Sequence, residues 1–374
     1  MEIDISALSQ SPLQTNRRTF LTGIGAGLFL AAGPGFAQDR ETESILFASA
    51  GKRPDGSFVA VLFDESGRET FSVPLPDRGH DITLDRPRDR AVAFARRPGN
   101  FAVAFDIQGR REPDFFAAPE GRHIYGHGAF TKDGKLLYAS ENDYDGVKGV
   151  IGVYDATDRF KRMGELSSHG LGPHEILLMP DGRTLAIANG GIETHPDFGR
   201  EKLNLATMAP SLAFIDLETG NLLEKHTLSP ELHQLSIRHM DADANGRIFF
   251  GGQYEGNKAD LPPLLGTGAL GEDVRLFDMP TELIGGFRNY IGSVRVGADN
   301  ATFAATSPKG GCAVIFDARS GNALEVLNRR DACGLSSVGE GFYVASENGI
   351  GAFEPSSESL TSLDFLPDNH LRKI

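Results

Sequence analysis

Two stretches of the chain, residues 127–155 (HGAFTKDGKLLYASENDYDGVKGVIGVYD) and 174–216 (HEILLMPDGRTLAIANGG, then SLAFID), follow one order of parts and start about 47 residues apart. Each begins with a histidine on a short apolar strand, turns at Asp-Gly, and continues into a second strand ending in small polar residues. A third strand then ends at Asp155 or Asp216. Asp133-Gly134 and Asp181-Gly182 predict two-residue hairpins, since glycine accepts the positive φ such turns require. Asn245-Gly246 repeats the pattern after His239. Third strands recur as Phe101–Asp106, Val274–Asp278 and Ala313–Asp317. The turns Thr219-Gly220-Asn221 and Ser320-Gly321-Asn322 lead into fourth strands such as Leu222–Leu228.

A repeat of this length with period-two alternation excludes helical solenoids. Four antiparallel strands per unit, repeated about seven times, predict an all-β fold, a seven-bladed β-propeller. The 45 glycines, 25 phenylalanines and absence of tryptophan suit short strands joined by tight turns. The first unit, Ile45 to Leu75, shows only three strands, whereas Asn369–Ile374 follows a complete last unit. The C-terminal strand is therefore expected to close the ring as the innermost strand of blade one.

Residues 1–37 stand apart from the repeats. Arg17-Arg18 is followed by Phe20–Ala32, an apolar run well short of the ~20 residues of a membrane span. Gly35-Phe36-Ala37 places small residues where a signal peptidase cuts. These features predict a twin-arginine signal cleaved after Ala37, a periplasmic protein, and a single propeller domain over 38–374 with no membrane anchor in the mature chain. The formal charge of −14 argues against nucleic acid or anionic lipid as partner and is compatible with a cationic ligand.

In a propeller, the start of each inner strand and the end of each second strand meet at one mouth of the central channel. His80, His127, His174, His239 and, in the closing strand, His370 stand at the first of these places. The same spacing from the turn puts Ser293 in blade six and Cys333 in blade seven. Arg97, Glu141, Asn142, Asn189, Gln253, Lys309 and Glu347-Asn348 stand at the second. The loops Asn189–Pro210 and Gln253–Glu272 are long enough to fold over the opening. Neutral imidazoles suit a transition metal ion, with Glu141 or Glu175 completing the set. Two other readings stand beside it: a small-molecule or oxyanion site, and histidines that only hydrogen-bond the neighbouring blade. A Cys312–Cys333 disulfide is left open by the spacing.

The segments GHGAF, LGPHEIL, IANGGIETHP, LNLATMAPSL, LSIRHM, YIGSV, SPKGG, ACG and DNHL, in this order, resemble a family of exported bacterial propellers described as a domain of unknown function, with repeats of the YVTN type. The resemblance spans essentially the whole mature chain. It implies twin-arginine export, gene neighbours among imelysin-type and other periplasmic iron-uptake proteins, and thus a link to iron acquisition. Residue by residue it points to His127, His174, Glu175, Asn189, Arg238, His239, Ser307, Cys333, Asn369 and His370 as ligand-binding, with His127, His174, His239 and His370 as metal ligands. The turn Arg86-Pro87-Arg88-Asp89 departs from the pattern and leaves the part played by His80 open. The function expected from all this is binding of a metal ion, metal complex or small ligand at the histidine-rich mouth, as an accessory to iron uptake. The rivals are a metal-assisted hydrolase of lactonase type, in which a channel carboxylate activates a metal-bound water, and a protein-interaction scaffold without ligand.

Overall fold

The computed structural model describes residues 47–97, 99–354 and 360–374. The expected export signal and the start of the first unit at Ile45 lie outside the described residues. Seven antiparallel sheets follow one another along the chain, each strand pairing with the next in sequence. The fold is a seven-bladed β-propeller. The inner strands of blades two to seven are Gly79–Asp85, Arg122–Phe130, Pro173–Leu178, Leu235–Ala242, Ser293–Val296 and Leu335–Val338. They contact one another in that order, and the last also meets the C-terminal strand, which completes the ring.

Closure uses two short pieces. Leu366–Pro367 and Arg372–Lys373 pair antiparallel with Phe47–Lys52, the first described strand, through Gly51 opposite Pro367 and Phe47 opposite Lys373. Residues 368–371 between them leave the ladder but stay tied to it. The Asp368 N–H donates to the Ala50 carbonyl (2.8 Å), and the Ser49 hydroxyl donates to the His370 carbonyl (2.8 Å). Among the described residues blade seven shows three strands and an isolated bridge between Ile350 and Thr361.

The recurring aspartate of the third strand has a local cause. Asp106, Asp155, Asp216 and Asp317 each accept backbone N–H groups at the turn into the fourth strand, as from Gln108 (2.9 Å) and Thr157 (2.8 Å). Two expectations need correction. The Asp-Gly and Asn-Gly pairs lie in five-residue connections, 131–135, 179–183 and 243–247, not two-residue hairpins. Only the glycine takes positive φ there (61°, 72° and 85°), because a turn followed by one left-handed residue already matches the strand twist. In blade five, Val274–Asp278 belongs to the fourth strand, Glu272–Leu276, while the third is Leu265–Ala269; the tight turn at Gly271 (φ 83°) separates them.

Apolar faces pack between blades. Phe249, Phe303 and Phe316 stack between blades five and six with neighbouring ring centroids 4.9 Å apart. Leu371, fully buried, joins Phe47, Phe63 and Phe365 in the cluster that seals blade seven to blade one.

Deleting residues 366–374 removes this seal and leaves the inner edge of Phe47–Lys52 unpaired, its other edge still held by Phe58–Phe63. The truncated protein is expected to lose its cooperative thermal transition. Melting within about 2 °C of the parent, a difference of roughly 1 kcal/mol or less, would show that closure by the tail is dispensable.

Candidate functional site

Each of the five axial histidines sits where its strand leaves regular register. The pairing shifts between Gly79 and Ile82 around His80, between Ile124 and Gly128 around His127, between Pro173 and Ile176 around His174, and between Ile237 and His239. His370 lies in the unpaired stretch of the closing strand. A bulge re-aims side chains, so consecutive residues need not point to opposite faces. His80 and Asp81 accordingly both turn to the axis, as do His174 and Glu175. The inner strands of blades six and seven, which carry no such histidine, pair without a shift. Gly126 makes room for the cluster: a Cβ there would stand 2.5 Å from the His80 ring, and its φ of 109° also demands glycine.

All five imidazoles are buried and mutually in contact. Their ring centroids lie 4.7 Å apart for His80–His370 and His127–His370, 4.8 Å for His127–His174 and His174–His239, and 4.9 Å for His80–His127. Two triplets, His80/His127/His370 and His127/His174/His239, bring one ring nitrogen from each member within 4.8 Å of the others. Nitrogens bound tetrahedrally to one ion at ~2.05 Å stand about 3.3 Å apart, so the rings would have to draw closer to bind one.

Three of the rings are backed by carboxylates. Nδ1 of His80 lies 3.0 Å from Asp368, Nδ1 of His127 3.0 Å from Asp81, and Nδ1 of His239 3.5 Å from Glu175. Below them Arg372 bridges Asp81 (2.5 Å) and Glu175 (3.1 Å), and Arg295 stands 3.7 Å from Glu175. Burial pushes all three carboxyls up, but the cations and imidazoles around them win. Asp81, beside Arg372 and His127, and Glu175, beside His127, His239 and the two arginines, are held well below the carboxylate range. Asp368 is held low by the His80 hydrogen bond and by Arg96 and Arg78. Ionised Asp368 and Asp81 accept Nδ1–H from His80 and His127, which leaves the Nε2 lone pairs of these two rings free; His239 Nδ1 only lies near Glu175 without a hydrogen bond.

Burial keeps His80, His174, His239 and His370 neutral. It lowers His80 to about 3 and His239 to about 4, against the opposing pull of Asp368 and Glu175. His174 and His370 lie well below the usual range, through burial and then the neighbouring imidazoles. Nε2 of His127, Nδ1 of His174, Nδ1 of His239 and both ring nitrogens of His370 are buried with no hydrogen-bond partner.

Above the rings the channel opens into a cavity of about 290 Å³, which His80, His174 and His239 line together with Arg238 and Asn369. Arg97, Gln253 and Lys309 also reach it. Both long loops contribute, the first through Arg200 and Lys202 and the second through Gln253 and Glu255, and a Lys202–Glu255 ion pair joins them.

Other residues singled out in the sequence lie elsewhere. Glu141 is used within blade three, bonded to Tyr154 (2.6 Å) and Arg162 (2.9 Å). The amide of Asn189 donates to the Ser168 carbonyl (2.9 Å), and the Ser307 hydroxyl donates to the Phe287 carbonyl (2.8 Å) and accepts from the Gly310 N–H (2.9 Å). The Cys333 thiol donates to the Ala345 carbonyl (3.3 Å) within the apolar seal between blades seven and one, and Cys312 and Cys333 are free thiols. Asp81, Asp368, Arg295 and Arg372 were not foreseen. The available signal was an acid within two residues of an axial histidine, as in His80-Asp81, His174-Glu175 and Asp368-Asn369-His370.

Fold and axis together define a β-propeller with a buried histidine cluster at the head of its channel. The chain belongs to the family described as "Protein of unknown function (DUF1513)", whose model matches residues 73–374. No curated protein matches it. Among solved structures it is similar in fold to a chain of Kuenenia stuttgartiensis hydrazine synthase, with TM-score 0.63 and 14% identity over 86% of this chain and 98% of that one.

The four rings lowered by burial, His80, His174, His239 and His370, set a pH dependence. In the unfolded chain these imidazoles titrate near 6.5, so as pH falls through that value the unfolded state binds protons that the folded state refuses. Stability should fall between pH 7 and pH 5, by about 1.4 kcal/mol per pH unit for each ring kept neutral. The low-lying carboxylates add a further loss only below about pH 4. Urea unfolding at pH 7 and pH 5 measures the difference; equal stabilities would contradict neutral, buried rings.

Proposed function

We propose that the protein binds a first-row transition metal ion in the axial histidine cluster. One observation carries the reading: five buried imidazole nitrogens, on His127, His174, His239 and His370, lack a hydrogen-bond partner among the described residues. Buried polar atoms are nearly always satisfied, and a histidine that only braced a neighbouring blade would be bonded to it. Imidazoles converging from four blades and the closing strand, two of them hydrogen-bonded to carboxylates, have the donor chemistry of copper, zinc, iron or nickel sites. His80, His174 and His239 face the mouth cavity, so a bound ion would keep an open side.

Binding suits the site better than hydrolysis. Asp81, Glu175 and Asp368 are each engaged by an imidazole and an arginine, and Glu255 is engaged by Lys202, so none is free to activate a metal-bound water. The export signal expected from Arg17 and Arg18 would deliver the folded chain to the periplasm. There an accessory part in iron uptake, with periplasmic iron-uptake proteins as partners, fits the donor set and the family resemblance.

Metal-stripped protein titrated with Fe(II), Cu(II) and Zn(II) should take up one ion per chain. Changing His174→Ala and His239→Ala together should weaken binding by roughly 100-fold or more. A cooperative thermal transition in the double variant certifies the fold. A parent that binds none of the three ions at micromolar concentration, or a folded double variant that binds as the parent does, would overturn the metal reading.

A further inference from the structure

The cavity above the histidines has a charge opposite to that of the chain. Six cations line it, Arg96, Arg97, Arg200, Lys202, Arg238 and Lys309, against one carboxylate, Glu255, in a chain of net charge −14. Part of this charge is matched: Arg96 pairs with Asp368 (2.6 Å) and Lys202 with Glu255, and Arg238 stands 4.0 Å from Glu255. Arg97, Arg200 and Lys309 have no carboxylate partner among the described residues.

These three cations come from the loops of blades two, four and six and line one cavity. Two are held in place without being neutralised. Arg97 donates to the Tyr125 hydroxyl (3.2 Å) and packs 5.8 Å from that ring, and the Lys309 ammonium sits 4.3 Å from the centre of the Tyr290 ring. The third, Arg200, is exposed, and desolvation together with Arg96, Arg97 and Arg78 holds its guanidinium below the ordinary value. Converging like charges with rigid supports destabilise the empty mouth and attract an anion. Guanidinium groups offer paired donors that match carboxylate and phosphate oxygens. The volume, about 290 Å³, is at the small end of ligand pockets and excludes a folded or polymeric guest.

We infer that the mouth binds a small anion carrying two or more carboxylate or phosphate groups, held by Arg97, Arg200 and Lys309. Three cations without a carboxylate partner lining one cavity are matched by more than one anionic group. The inference rests on the metal reading in one respect only: because His80, His174 and His239 line the same cavity, an ion bound there would meet the anion's oxygens and be held as an anionic chelate. The anion site itself stands without the metal.

The test uses metal-free protein, calorimetric titration, and citrate, pyrophosphate and acetate as probes. Citrate or pyrophosphate should bind at one saturable site, the tighter of the two distinguishing a carboxylate from a phosphate ligand. Acetate should bind far more weakly, and added salt should weaken the polyanion. The variant Arg200→Ala, Lys309→Ala should lose roughly tenfold or more in affinity for each cation removed. It should melt no lower than the parent, since like-charge repulsion is relieved, and should retain its uptake of Fe(II), Cu(II) or Zn(II). Absence of saturable binding of both polyanions to the parent, or an unchanged affinity in the double variant, would overturn the anion site. Polyanion binding by a protein that takes up no metal would overturn the metal reading and leave the anion site intact.

Discussion

The arrangement at the axis depends on Arg372. This C-terminal arginine lies between Asp81 of blade two and Glu175 of blade four, and those carboxylates stand against His127 and His239. Removing one member of a buried ion pair strands the others, at a cost of about 3–5 kcal/mol. Ring closure and site assembly are therefore one event: the strand that seals blade one also delivers Asp368, His370 and Arg372. No single blade contains the site. Its five rings come from four blades and the tail, and they meet only once the circle is complete.

Along the channel the charge is layered. A floor of arginines and ionised carboxylates supports a layer of imidazoles, four of them neutral, and a cationic mouth opens above it. The layers reinforce one another. The floor needs its arginines to keep the carboxylates ionised, ionised Asp368 and Asp81 fix the tautomers of His80 and His127, and the neutral rings present lone pairs instead of protons. The mouth carries positive charge that a protonated cluster would oppose and a neutral one does not. The net charge of the chain predicts none of this, because the acids are spread over the exterior turns and the cations converge at one opening.

Much of the fold was legible in the chain. The recurring histidine, glycine turn and third-strand aspartate are each set by local chemistry: positive φ at glycine, and an aspartate side chain accepting N–H groups two and three residues on. The loops were misjudged only where a local pattern has two solutions, as at Asp133-Gly134, where a five-residue connection replaces the shorter hairpin. Blade five was misjudged because Val274–Asp278 resembles a third strand, although Gly271 had already turned the chain.

The sequence by itself determined the number of blades, the strand that closes the ring, and the positions of the five inner-strand histidines, because strand period and turn chemistry act over a few residues. Only the tertiary structure decided which polar residues face the axis. In a regular strand Asp81 would point away from the side of His80, and Glu175 away from that of His174; the bulges bring both members of each pair inward. The same holds for Ser307, Asn189, Glu141 and Cys333, which stand at sequence positions equivalent to the mouth but spend their donors and acceptors on backbone or on partners within or between blades. Where a side chain points at the end of a strand depends on which neighbour satisfies its hydrogen bonds, and that neighbour is commonly a residue of another blade.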